Sequence, residues 1–261
     1  MEIKNYVIDA FCEDFYLGNP ACVVILEDWI PDTTLQIIAK KNGFPETAFY
    51  IKNSSEFTLR WFTPDIEMDL CGHATLATAF CLYEIMDIKQ TNFFFKTKSG
   101  LISVKVNNDM YELLLPIRRP IPSTLPLEIY DALNIKPIAV FKDRDYLLLY
   151  NSETDILNIQ IDRSSFDKIN LDPGGVIVTA LGENSNFVSR FFTPQATILE
   201  DPVTGSAHCS LIPFWSNKLK LKRMTAIQLS ERKGKLYGEL LDSEISLKGK
   251  AKFSRIFSFE L

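Results

Sequence analysis

The chain says the same thing twice. FTLRWFTP at 57–64 returns as FVSRFFTP at 187–194. Each copy alternates like a strand and stops at Thr-Pro, where proline removes a ladder donor and restricts the residue before it. Further on, CGHA at 71–74 matches TGSA at 204–207, and SGLISVKVNNDMYELLL from Ser99 lines up with KGKLYGELLDSEISLKG from Lys233. Three echoes in one order, at offsets of 130, 133 and 134, imply one supersecondary unit built twice. In each copy the glycine leads into a mostly apolar run, HATLATAFCLYEIM or SAHCSLIPFWSNKL, and a helix apolar nearly all round is a buried one. The expected architecture is therefore α+β: two pseudo-symmetric halves, each a rolled, mainly antiparallel sheet around a central helix. The halves are residues 1–118 and 119–261, joined at proline-rich PIRRPIPSTLP (116–126), with the last few residues able to pair back with the first half.

Composition narrows the function classes. With 261 residues, 46% of them hydrophobic, the chain can fill one large core or two modest ones. A net charge of −5 with acids and bases scattered throughout leaves no basic patch to track a phosphate backbone, so nucleic acid is not an expected partner. The opening MEIKNYVIDAF is charged and strand-like, without the features of a signal peptide. No run reaches the roughly 18 apolar residues of a membrane span. No membrane association and a cytoplasmic location are expected. Five cysteines (12, 22, 71, 81 and 209) make no disulfide framework and are expected to be reduced, most of them small buried hydrophobes.

Two helix N-termini, one per half, suit anions, and a cleft between halves is a usual ligand location. A small-molecule carboxylate is the expected partner. Single-site chemistry is best sought where the copies diverge. Counting back from Arg60 by the offset of 130, Glu46 in GFPETAFY corresponds to Val176. Phe44, Pro45, Ala48, Phe49 and Tyr50 surround Glu46 in sequence. That setting is apolar enough for burial to raise its pKa into the range useful for general acid and base work. The plainer alternative is an exposed loop glutamate. Cys71 faces Thr204, His73 faces Ser206, and Asp201 stands just before the second turn. If the turns converge, these six side chains share one cleft.

Several readings of Cys71 and His73 are open. A zinc site would draw on His73, Cys71, His208 and Cys209, but neither pair has the usual ligand spacing, and no metal is expected. A Cys–His nucleophilic pair need not hydrogen-bond at two residues' separation. The others are a buried cysteine with a capping histidine, and a site in which His73 orients a ligand.

The chain resembles the phenazine-biosynthesis PhzF-like family, within the diaminopimelate-epimerase-like fold superfamily. The pieces are DAF at 9–11, GNPACVV at 18–24, PETAF at 45–49, RWFTP at 60–64, DLCGHATLA at 69–77, RFFTP at 190–194 and EDPVTGSAH at 200–208. They run in the family's order over nearly the whole chain. The resemblance implies an active site between the halves and a homodimer. It implies Glu46 as the catalytic proton carrier, with His73 and Asp201 contacting the substrate's polar groups, and substrate-binding positions at Asn19, Gly72, Gly205 and Ser206. Cys71 and Thr204 are secondary positions. Related epimerases use two cysteines on opposite faces of a carbon. Here Thr204 takes the second place and cannot deliver a proton as a thiol does. The expected activity is a cofactor-independent isomerisation of a small cyclic or amino-acid-like carboxylate, with Glu46 as general base and then acid. An amino-acid racemase or epimerase using Cys71 and a non-catalytic small-molecule-binding protein are the competing expectations.

Overall fold

The computed structural model of the chain describes residues 2–53, 56–172 and 174–260. The chain divides into two compact units, residues 1–115 with 247–261, and residues 116–246. The first holds β1 (Glu2–Ala10), β2 (Asn19–Leu26), α1 (Asp32–Asn42), β3 (Glu46–Asn53), β4 (Glu56–Phe62), β5 (Glu67–Met68) and α2 (Gly72–Phe80). A π-helical turn (Cys81–Ile85), β6 (Asn92–Thr97), β7 (Gly100–Asn107) and β8 (Met110–Pro116) follow. The second holds β9 (Ile121–Pro122), α3 (Leu127–Ala132), β10 (Ala139–Lys142), β11 (Tyr146–Leu149), α4 (Glu153–Asn158), α5 (Arg163–Phe166) and β12 (Val176–Leu181). It continues with β13 (Phe187–Phe192), α6 (His208–Leu219), β14 (Arg223–Gln228) and β15 (Gly234–Leu240). β16 (Glu244–Gly249) and β17 (Ala251–Glu260) end the chain. β17 runs antiparallel to β1 from Ala10↔Ala251 to Glu2↔Glu260, with a bulge between Val7 and Ile8.

The repeat is visible in the pairing. In the first unit β1–β2 is antiparallel, β2–β3 parallel, β3–β4 antiparallel, β4–β6 parallel and β6–β7 antiparallel. In the second, β10–β11, β11–β12, β12–β13, β13–β14 and β14–β15 repeat that series. The α+β architecture read from the echoes is thus present in both halves, and the parallel steps fall at the same places in each.

The register corrects one alignment. Phe62 pairs with Thr47, whereas Phe192 pairs with Val176. Glu46 therefore corresponds to Gly175 rather than Val176. Gly175 has no room for a side chain, since a Cβ there would come within 2.4 Å of the Phe191 ring.

Alternation explains which residues meet the helices. In β2 and β3, Cys22, Val24, Leu26, Phe49 and Ile51 pack in one cluster with Leu35, Ile38 and Ala39 of α1. Because successive strand side chains point to opposite faces, Ala48 and Glu46 belong to the other face, against which α2 packs. α2 is buried from Gly72 through Ala79, as its small apolar sequence requires. The hydroxyls of Thr75 and Thr78 donate to the carbonyls of Cys71 (2.5 Å) and Ala74 (2.7 Å), which satisfies them inside the core. In the second unit, α6 packs on β14 and β15. Trp215 Nε1 donates to Thr179 Oγ1 at 3.0 Å, and the Trp215 indole stacks on Phe187 with ring centroids 5.8 Å apart.

Candidate functional site

Local chemistry in the first unit brings three strand or helix ends together. The DAF and GNP motifs are the two sides of the loop between β1 and β2. Gly18 has φ +71°, and a Cβ on it would lie 2.3 Å from the Ala10 carbonyl oxygen, so only glycine lets the chain turn back there to start β2 at Asn19. Phe11 is fully buried and fills the space beside Gly249, where a Cβ would meet its ring at 2.3 Å. At the other side, Arg60 on β4 holds Glu67 on β5 with two hydrogen bonds of 2.7 and 2.8 Å. That bidentate pair fixes the arm leading to Cys71, the residue before α2.

These anchors place His73 among Glu46, Asn19 and Cys71. His73 Nε2 lies 3.0 Å from Glu46 Oε2. The ring N–H is not aligned on that oxygen, because neither atom completes a hydrogen bond, so the contact is an ion pair rather than a directed hydrogen bond. On the other side of the ring, Nδ1 is 3.2 Å from Asn19 Nδ2 and 3.6 Å from Cys71 Sγ. His73 is 2% exposed and Glu46 9%. Glu46 is thus the buried first residue of β3 and not an exposed loop residue.

Burial alone would disfavour the imidazolium, but the interactions with Cys71 and Glu46 outweigh it and push the His73 pKa well above its usual value. Burial, and then the Glu46 charge, push the Cys71 thiol up to about 11. At neutral pH Cys71 is therefore a thiol. As oriented, the Asn19 amide suits a neutral ring with its proton on Nε2. A 180° rotation of that amide lets Asn19 accept from the imidazolium instead.

Ligand atoms of Glu46, Cys71 and His73 lie within 4.8 Å of one another, the one grouping among the described residues that could hold a metal. However, Glu46 sits at Nε2 and Cys71 at Nδ1. One ion cannot use both carboxylate and thiolate with a single ring nitrogen unless one of them moves. His208, a further ligand in the zinc reading, has Nδ1 tied to the Thr204 carbonyl at 2.9 Å. Burial depresses its pKa to about 4, so it is a neutral structural histidine in α6.

The second unit builds its turn differently. Asp201 Oδ2 accepts from Thr204 Oγ1 at 2.7 Å. Gln228 accepts from the Thr204 N–H at 2.8 Å and donates to the Asp201 carbonyl at 2.7 Å. Arg190 grips Glu200 at 2.7 and 2.8 Å as Arg60 grips Glu67. Ser206 accepts from Arg144 Nη2 at 3.3 Å. Gln228, fully buried, was invisible to sequence reasoning, because it lies in β14 within no motif and reaches the turn only through strand pairing. A cavity of about 400 Å³ in this unit, lined by Pro120, Phe141, Pro213, Phe214 and Lys218 among others, contains none of the candidate site residues.

Two halves of one pairing series, with a buried carboxylate–imidazole pair in the first, have a diaminopimelate-epimerase-like fold. The family described as Phenazine biosynthesis-like protein (PhzC-PhzF) matches residues 8–255, and the chain belongs to that family. It is 40% identical over 251 residues to a Pseudomonas aeruginosa protein named as an uncharacterized isomerase, with 96% of each chain covered. It superposes on the crystal structure of a PhzF-family phenazine biosynthesis protein from Enterococcus faecalis with a TM-score of 0.91 at 39% identity, covering all of both chains. A probable proline racemase from Agrobacterium radiobacter has a TM-score of 0.70 at 8% identity, covering 99% of this chain and 93% of that one, which extends the likeness of fold to that group. No helix among the described residues is long and apolar enough to cross a membrane.

Proposed function

We propose that the protein is a cofactor-independent isomerase that shifts a proton within a small cyclic or amino-acid-like carboxylate, with Glu46 as the proton carrier. The observation that carries this reading is the buried Glu46–His73 pair at 3.0 Å. A Glu46 oxygen takes a proton from one carbon of the substrate. The C–H electrons move into the adjacent unsaturated system, and Glu46 returns the proton to another carbon on the same face. One proton leaves and one arrives, so the product is an isomer. A lone carboxylate with a neighbouring imidazolium suffices for this, because the imidazolium offsets the charge that develops nearby.

Asp201, Gly72, Gly205, Ser206 and Asn19 are proposed as substrate-contacting positions on the strength of the family resemblance, as are a homodimer and a cytoplasmic location. A racemase using Cys71 is the competing reading, favoured by the 3.6 Å approach of Cys71 Sγ to His73 and disfavoured by a thiol pKa near 11.

A metabolite panel screened by thermal shift tests the pocket, because a ligand that binds only the folded state raises apparent stability. A carboxylate that stabilises the native protein and loses its effect in both His73→Ala and Asp201→Ala supports the proposal. Full effect in both variants contradicts it.

A further inference from the structure

The two turns are equipped with opposite chemistry. In the first unit, the residue that starts β2, Asn19, reaches His73. In the second, Arg144, just before β11, reaches Ser206, the counterpart of His73. The strand register sets the two one residue apart, because it is Asp143 that takes the place of Asn19. Cys22 faces Thr47, and Tyr146 faces Val176, which matches Asp145 with Ala21 and Arg144 with Pro20. Where the first unit has the Glu46 carboxylate, the second has Gly175, whose N–H donates to Asp145 Oδ1 at 2.9 Å.

Asp145 is fully buried and lies between two guanidinium groups. Arg144 Nε is 3.4 Å from its Oδ1, and Arg118 Nη1 is 4.0 Å from its Oδ2. Arg118 Nη1 is shielded from water and makes no hydrogen bond. Its backbone is fastened to α6, with the Arg118 N–H donating to the Cys209 carbonyl at 2.9 Å. Both arginines lower the Cys209 pKa against the larger upward push of burial, so both charges are felt at the start of α6. Asp143, the other carboxylate nearby, accepts from the backbone N–H groups of Arg119 and Arg144. Arg118, Arg119 and Arg144 against Asp143 and Asp145 leave one positive charge in excess. Ser206 accepts from Arg144, which leaves its hydroxyl proton to donate elsewhere.

We propose that Arg118, Arg144 and Ser206 form an anion subsite in the second unit that takes a carboxylate or phosphate group of a small-molecule ligand. Guanidinium groups suit both planar carboxylates and tetrahedral phosphates through paired N–H donors. The identification of that ligand with the isomerase substrate rests on the function proposed above. The subsite itself does not.

Binding of malonate, acetate and inorganic phosphate to the purified full chain, measured by thermal shift and calorimetry against sodium chloride of equal ionic strength, tests the assignment. At least one anion stabilises the wild type beyond the chloride control, and the best of the three separates a carboxylate site from a phosphate site. Its affinity falls at least tenfold in Arg118→Gln and in Arg144→Gln, and by a smaller factor in Ser206→Ala. Should Arg144→Gln fail to fold, Arg118→Gln and Ser206→Ala carry the test. No stabilisation of the wild type beyond chloride overturns the subsite, as does unchanged affinity in the variants that fold. The two proposals fail separately, because anion binding is read without turnover in Arg118→Gln and Arg144→Gln, whereas proton transfer by Glu46 is read by deuterium exchange.

Discussion

Histidine chemistry separates site from scaffold at the level of single residues. The chain has two histidines, both buried, and their surroundings push them in opposite directions. His73, between Glu46 and Cys71, binds its proton more tightly folded than unfolded. Its stabilisation is therefore full below about pH 6.5 and is lost as pH rises through its higher folded pKa. His208, buried against the Thr204 carbonyl, resists protonation until about pH 4. In a two-dimensional NMR titration, one imidazole moves near pH 4 and the other well above 6.5. Two ordinary titrations near 6.5 would refute this electrostatic account. Cys71 is predicted to resist alkylation at pH 7.5 in the folded protein, because burial holds its thiol pKa near 11 and only the thiolate reacts. Fast labelling of Cys71 in native protein, located by peptide mass spectrometry, would show that the thiol is activated.

At the scale of elements, each turn is held by an arginine on the strand before it. Arg190 donates to both Glu200 oxygens and to the carbonyls of Ile156 and Ile159. Lysine keeps the charge but not the fork. Arg190→Lys is expected to cost about 2 kcal/mol in urea unfolding, and a change under a few tenths would mean that the pair does not hold the arm. Helix α6 should also loosen in acid. Between pH 6.5 and 4 the unfolded chain binds a proton at His208 that the folded chain refuses, a loss on the order of 3 kcal/mol across that window. His208→Asn removes that part of the acid slope, and an unaltered slope in the variant would contradict it. Much of this level was legible in the sequence. RWFTP and RFFTP marked the two strands, and ETAFY alternates so that Glu46 shares a face with Ala48. The one-residue slip between Glu46 and Gly175 was not legible, because an offset counted on β4 and β13 does not fix the register of the strands beside them. Gln228, Arg118 and Arg144 were hidden for a related reason. Gln228 and Arg144 lie in no motif, Arg118 lies in a segment read only as a junction, and each reaches its turn through contacts distant in sequence.

On the scale of the whole molecule, the duplication was the most readable feature, since the order of parallel and antiparallel steps follows from repeating one sequence of strands and helices. The return of the chain to the first unit was only hinted at, because β17 echoes nothing and is recognised by its pairing with β1. That strand covers β1 from Glu2 to Ala10, so a chain ended after Lys250 leaves β1 with an open edge. Such a truncation is expected to aggregate or to lose its cooperative thermal transition by circular dichroism. A soluble, cooperatively melting product would show that β17 is dispensable. Exchange in heavy water reads the proposed proton transfer by Glu46 directly. A carboxylate selected by thermal shift is incubated in D2O with wild type, Glu46→Gln and Cys71→Ser, and deuterium is located on its carbons by mass spectrometry and NMR. Incorporation by wild type and Cys71→Ser, slowed about 10²–10⁴-fold in a folded Glu46→Gln, is the predicted result. Exchange that persists without Glu46 and vanishes without Cys71 would contradict it.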